Sequence, residues 1–223
     1  MSFSRSILAT GLSLCSVSFA LSANAESQPG CDSLRSVQAV IDIASDNVAG
    51  LKAQVDEAQR ALCSRFTPSK GATVYYQNGK IATSYSRTEG ATWYYPNGKI
   101  ITSYAGREDA TWYYPDSKIV TSYMGRVGAT WYYPNGRILT SYYGQPGATW
   151  YYSSGRILTS YAGQIGATWY YDNGRVLSSY FGQSGATWYY KNGSVWTSQG
   201  PEISEQELLY PHLLLKTLFG EQQ

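Results

Sequence analysis

The sequence predicts a mainly β chain: an elongated antiparallel β-meander of seven hairpin repeats, with a helical segment before it and a helical cap after it. Three observations predict this. A 19-residue unit opens at Gly71, Gly90, Asp109, Gly128, Gly147, Gly166 and Gly185 with no slip in period. Each unit holds two β-branched and aromatic stretches, as in Ala91-Thr92-Trp93-Tyr94-Tyr95 and Ile100-Ile101-Thr102-Ser103-Tyr104, and such residues favour strands. Between the stretches stands Asn-Gly, as at Asn97-Gly98, Asn135-Gly136 and Asn173-Gly174, where both residues tolerate positive φ. A short fixed period describes one small unit that buries its face by stacking on its neighbours.

The first element is a secretory signal over residues 1–25. Arg5 supplies the positive start, Ile7 to Leu21 the apolar stretch, and Ala23-Asn24-Ala25 a small-residue cleavage site before Glu26. The apolar stretch is short for a membrane span of ~20 residues, so the chain is expected to be exported to the periplasm or beyond the cell and not to be transmembrane. Cleavage leaves Cys31 and Cys63, which are expected to pair in an oxidising compartment.

The next element, within residues 26–66, is helical. Leu34, Val37, Ile41, Ala44, Val48, Leu51, Val55, Ala58 and Leu62 follow alternating steps of three and four, a heptad seam. A single helix would hold the cysteines ~48 Å apart at 1.5 Å per residue, and would allow a homodimer through the 31–63 helix. A hairpin turning at Ser45-Asp46-Asn47 would instead bring Cys31 and Cys63 together at its open end. Residues 67–70, with Pro68, form a linker into the array.

The array spans 71–200. Pairing across a two-residue turn would set Tyr95 opposite Ile100, Tyr94 opposite Ile101, Trp93 opposite Thr102 and Thr92 opposite Ser103. One face then carries Ala91, Trp93, Tyr95, Ile100, Thr102 and Tyr104 and is the apolar, packed one. The other carries Thr92, Tyr94, Ile101 and Ser103, with Lys99 near the turn. A parallel β-solenoid is the alternative stack. The tenth position of the unit argues against it, because Lys80, Lys99, Lys118, Arg137, Arg156 and Arg175 would lie one strand apart. In a meander they lie two strands apart, ~9.6 Å, which screening tolerates.

The terminal units depart from the pattern. Val74 replaces the tryptophan of the next six units, and the last unit has Trp196 and Gln199, as capping an array requires. Residues 201–223 form a helical cap. Ser204-Glu205-Gln206-Glu207 is a capping box, Pro211 implies a break near Tyr210, and the leucine-rich tail is expected to cover the exposed edge of the last strand.

The Tyr-Tyr-Pro-Asn-Gly-Lys core of the unit resembles the bacterial branch of MORN-type repeats. That resemblance implies an antiparallel meander used as a scaffold or for binding proteins or lipids. The Trp-Tyr-Tyr and Gly pairing is similar, more weakly, to choline-binding, cell-wall-anchoring repeats, although Thr-Ser-Tyr stands where those place Gly-Trp.

The chemistry points to a surface and away from an active site. With 17 basic and 15 acidic residues the net charge is +2, which gives no general case for nucleic acid. The single histidine, His212, lies in the apolar tail, and no acidic residue holds a fixed position in the unit, so paired carboxylates at a defined separation are not expected. Neither a metal site nor a cofactor is predicted, and the protein is expected not to be an enzyme. Binding is expected from a column of Tyr94, Tyr113, Tyr132, Tyr151 and Tyr170, beside the basic Lys99, Lys118, Arg137 and Arg156. The expected partner is a protein or an envelope polysaccharide. Self-assembly into an extracellular fibre is a further alternative.

Overall fold

The computed structural model describes residues 29–44, 46–64, 68–200 and 203–211. The signal, the start of the linker and His212 lie outside them. Two helices come first, α1 (Cys31–Asp42) and α2 (Ala49–Leu62). They form the hairpin rather than the single helix, and the Cys31–Cys63 disulfide closes its open end with the Cα atoms 5.7 Å apart. Lys52 of α2 pairs with Asp42 at the end of α1. This hydrogen bond, helped by the charges of Asp42 and Asp56, raises the Lys52 pKa against the opposing effect of burial.

Each unit then contributes two strands. The first three units give β1 (Val74–Tyr75), β2 (Ile81–Thr83), β3 (Ala91–Tyr94), β4 (Ile100–Ala105), β5 (Ala110–Tyr113) and β6 (Ile119–Met124). The next two give β7 (Trp131–Tyr132), β8 (Ile138–Thr140), β9 (Trp150–Tyr151) and β10 (Ile157–Thr159). The last two give β11 (Trp169–Tyr170), β12 (Val176–Ser178), β13 (Trp188–Tyr189) and β14 (Val195–Thr197). All pairings are antiparallel and in sequence order, in a ten-stranded sheet β1–β10 and a four-stranded sheet β11–β14. The array is the meander, and the parallel solenoid is set aside.

The turns correct the expected register. The Gly98 N–H donates to the Tyr95 carbonyl, and the Tyr95 N–H to the Lys99 carbonyl, both at 2.8 Å. The loop is therefore three residues, Pro96-Asn97-Gly98, with Gly98 at φ +85°. Proline with φ near −65° suits the first position of a type I turn, and glycine the left-handed residue that follows it. A two-residue turn would have needed Pro96 inside the strand. The extra loop residue shifts the pairing: Tyr94 stands opposite Ile100, while Trp93 stands opposite Thr102 and Ala91 opposite Ala105. Ile101 is consequently a bulge residue, and Ser103 and Tyr104 together oppose Thr92. In the same bulge the Tyr104 N–H donates to Thr102 Oγ1 at 3.2 Å.

The faces change accordingly. Ala91, Trp93, Tyr95 and Thr102 are buried as expected, but Ile101 and Ala105 join them, whereas Ile100 and Tyr104 are exposed. The buried face is a run of tryptophans, Trp93, Trp112, Trp131, Trp150, Trp169 and Trp188. Tyr143 stacks on Trp131 with ring centroids 4.3 Å apart, and Phe181 on Trp169 at 3.8 Å. Burying such large side chains dominates the stability of a thin sheet.

Helices cover this face. Leu34, Val37, Ile41, Val55, Ala58 and Leu62 of the heptad seam are buried in the same core as the tryptophans, so the seam packs within the chain. Gly30 lies against Trp93 and Ala105, Gln54 accepts from the Asn97 N–H at 2.9 Å, and Asp46 accepts from Asn135 at 2.9 Å. The hairpin thus lies along the first four units. The tail supplies α3 (Glu205–Leu209), opened by the Ser204–Glu207 capping box. The Ser204 side chain and backbone hydrogen bonds hold the Glu207 carboxyl below its usual range. The helix ends before Tyr210 and Pro211, as the proline predicted. The edge cover is expected of the whole leucine-rich tail, of which residues 212–223 lie outside the described residues; the described part, α3, lies on the tryptophan face. The Leu208 carbonyl accepts from the Gly163 N–H at 2.8 Å, and the Tyr210 ring meets Tyr143 at 4.9 Å. The apolar residues of α3 seek the tryptophan face, which buries more area than a strand edge. It extends the cover begun by the hairpin.

Candidate binding surface

Two side-chain ladders hold successive units at a constant spacing. The buried tyrosine before each loop donates to a backbone carbonyl of the next unit. These bonds run Tyr76 to Tyr94, Tyr95 to Tyr113, Tyr114 to Tyr132, Tyr133 to Tyr151, Tyr152 to Tyr170 and Tyr171 to Tyr189, at 2.5–2.9 Å. Burial pushes the phenols of Tyr95, Tyr114, Tyr133 and Tyr152 far above the usual tyrosine range, and a buried donor of this kind requires its acceptor. At the loop, Asn78 donates to the Pro96 carbonyl, Asn97 to Pro115, Asn135 to Ser153 and Asn173 to Lys191.

The expected basic column belongs to this scaffold. Lys80 donates to the Asn97 carbonyl at 2.9 Å, Lys118 to Pro134 at 2.8 Å, Arg137 to Ser153 at 3.4 Å and Arg156 to Asp172 at 2.9 Å. These cations sit on the loop carbonyls of the following unit, and Lys118 also meets Asp116. Lys99 is exposed at its loop. The column therefore stitches the loops together and lies at the rim of the sheet, beside the tyrosine column rather than within it.

The face away from the helices is the candidate surface. Tyr94, Tyr113, Tyr132, Tyr151 and Tyr170 lie on it, half-buried, and their backbone carbonyls are the ladder acceptors. A second tyrosine column stands much further out: Tyr85, Tyr104, Tyr123, Tyr142, Tyr161 and Tyr180 are 48–61% exposed. Beside them Ile81, Ile100, Ile119, Ile138 and Ile157 are 39–43% exposed. Strict alternation hid both columns, because it assigned Tyr104 and Ile100 to the packed face. Two signals in the sequence pointed to them. Pro-Asn-Gly marks a three-residue loop, and a threonine two residues before a tyrosine can accept its N–H and bulge the strand.

Threonines and serines fill the rest of this face, and Tyr, Ile, Thr and Ser positions of the six units carry no charge. Charges collect at the second set of loops, where Arg107 pairs with Glu89 at 3.9 Å and Arg126 with Asp109 at 3.5 Å. Arg126 also lies over the Tyr123 ring, 5.5 Å from its centroid. A shallow hollow of about 260 Å³ there is lined by Tyr104, Arg107, Glu108, Asp109 and Ala110. Among the described residues no group of three His, Cys, Asp or Glu side chains could hold a metal ion, and no helix is long and apolar enough to cross a membrane.

Neither the curated proteins nor the solved structures gave a match to the chain. The family model described as MORN repeat variant matches residues 91–103, the first strand, the Pro-Asn-Gly loop and the second strand up to its bulge. The match marks the hairpin at residues 91–103 as a MORN-type repeat, and the chain repeats that hairpin with a 19-residue period.

Proposed function

We propose that this is a non-catalytic, exported binding protein whose open face holds an extended, uncharged polymer of the envelope, a polysaccharide suiting it best. The observation that carries this is the column of six exposed tyrosines flanked by Thr and Ser hydroxyls, with charge confined to the second set of loops, where Arg107 and Arg126 lean over Tyr104 and Tyr123. Aromatic planes pack on the apolar faces of sugar rings, and adjacent Thr and Ser hydroxyls exchange hydrogen bonds with sugar hydroxyls. Successive tyrosines of the column recur every two strands, ~9.6 Å, close to the length of one disaccharide in an extended β-linked glycan. Each bound disaccharide places the next at high effective concentration, so weak single contacts sum to useful affinity. Export is supported by the signal-like start of the sequence and by a disulfide, which persists in oxidising compartments.

A second reading, a scaffold for a protein partner, is favoured by the exposed isoleucine column, since apolar residues at the centre of a surface favour protein contacts. The two separate experimentally. Co-sedimentation with insoluble envelope polysaccharide is expected to retain the protein, and Tyr123→Ala with Tyr142→Ala is expected to weaken retention by about tenfold or more with the far-UV spectrum unchanged. Failure to sediment with any polysaccharide, together with capture of a defined protein that Ile119→Ser with Ile138→Ser abolishes, would decide for the scaffold.

A further inference from the structure

The ladders that join the units run in one direction, and the array ends with half of a junction at each extremity. Every interior junction uses a tyrosine hydroxyl and, in four of them, an asparagine amide donating forward to carbonyls of the next unit. In the last unit the corresponding donors are Tyr190 and Asn192. In the first unit the corresponding acceptors are the Tyr75 and Gln77 carbonyls. Tyr190 is 39% exposed whereas its interior counterparts are 0–8% exposed, and Tyr75 is 60% exposed. Among the described residues β1 pairs on one side with β2, and β14 on one side with β13.

The terminal departures are also reciprocal in size. At the five interior junctions where the strands pair, a tryptophan stands opposite a threonine or serine that follows an aliphatic residue, as Trp112 stands opposite Thr102 of Ile101-Thr102. The last unit offers Trp196-Thr197 instead, and the first unit offers Val74. Large then meets small where small would meet large. Trp196 is 39% exposed and Val195 55% exposed, at the edge that would receive it.

We propose that copies of this chain join head to tail, β14 of one copy pairing with β1 of the next. Thr197 stands opposite the next copy's Val74, and Tyr190 and Asn192 donate to the next copy's Tyr75 and Gln77 carbonyls. The contact is heterologous, so each added copy leaves an edge for the next, and the sheet extends from copy to copy as a filament wherever the rotation between copies does not close a ring. Two β14 edges facing each other would set donor against donor and large against large. The inference is independent of what the open face binds, although a filament would lengthen its columns.

The test uses the full exported chain with its disulfide intact. Val74→Cys and Thr197→Cys are prepared separately and mixed under mild oxidation. A covalent dimer is expected in the mixture and in neither variant alone, and sedimentation of the wild-type chain is expected to show mass rising with concentration. Tyr190→Phe with Asn192→Ala is expected to weaken that association about tenfold or more, since two hydrogen bonds are lost, without changing the fold. Cross-linking of Thr197→Cys to itself would overturn the proposal, as would a wild-type chain that stays monomeric at every concentration with no mixed cross-link.

Discussion

The Tyr114 hydroxyl donates to the Tyr132 carbonyl oxygen at 2.7 Å, from a side chain with no solvent exposure. This bond ties one unit to the next at a point that the strand ladder leaves to side chains. Tyr114→Phe keeps the ring and its packing, but removes the donor and leaves a carbonyl short of a partner. A loss of about 1–2 kcal/mol is expected, read as a lower urea midpoint with an unchanged m-value. An unaltered midpoint would show that water serves the carbonyl equally well.

Among the described residues three non-glycine residues adopt positive φ: Arg87 at 58°, Asp109 at 65° and Ser117 at 72°. Each occupies a position where the other units place glycine at 72–91°. The left-handed region costs a side-chain-bearing residue roughly 1 kcal/mol, so the irregular copies carry a backbone penalty that the regular ones do not. Ser117→Gly is expected to raise stability by about 0.5–1 kcal/mol. Gly is more flexible when unfolded, which offsets part of the gain. Thermal unfolding of this variant beside Ser153→Gly, where no such φ is needed, checks the sign.

Much of the array was legible because each unit repeats its own punctuation. The 19-residue period, the strand composition and the capping box gave the meander, its order and the start of α3. The face assignment failed at Ile100, Ile101 and Tyr104 because alternation holds only for a strand without bulges. One extra loop residue and one threonine hydroxyl reset the parity. The path of α3 was illegible for another reason. Leu208 and Leu209 announce burial, but an apolar helix carries no address, and its target, the row of glycines at Gly163 and Gly182, is visible only once the sheet exists. The half-buried Tyr94 column was read from the sequence, whereas the more exposed Tyr104 column needed the register.

The ladder also sets an alkaline limit. Burial raises the phenol pKa of Tyr76, Tyr95, Tyr114, Tyr133, Tyr152 and Tyr171 above the ordinary 10.0. Below pH 10 folded and unfolded states both hold these protons, so their contribution is fully present. Above it the unfolded chain releases protons that the folded chain keeps, and stability falls by about 1.4 kcal/mol per pH unit for each such tyrosine. Stability is therefore expected to be flat across neutral pH and to collapse within about one pH unit above 10. Absorbance of tyrosinate should rise together with loss of the β signal. Stepwise titration of buried tyrosines within a folded sheet would contradict this.

Gly106 and Gly125 occupy the same position in consecutive units, both at φ +79°. A methyl group on Gly125 would meet nothing closer than Glu108 at 3.9 Å, whereas one on Gly106 would lie 2.4 Å from Pro29 Cβ, where the chain enters the helical hairpin. Gly125→Ala therefore reads the backbone strain alone, about 1–2 kcal/mol. Gly106→Ala adds a clash that the rigid proline ring cannot relieve without moving, a further loss of about 1–3 kcal/mol. The extra loss is expected to appear as earlier proteolysis between α2 and the first unit, with the strands still protected. Equal destabilisation of the two variants would mean that the segment before α1 does not rest on the sheet at Gly106, and that the disulfide-closed hairpin is held by the core-facing side chains of α1 and α2.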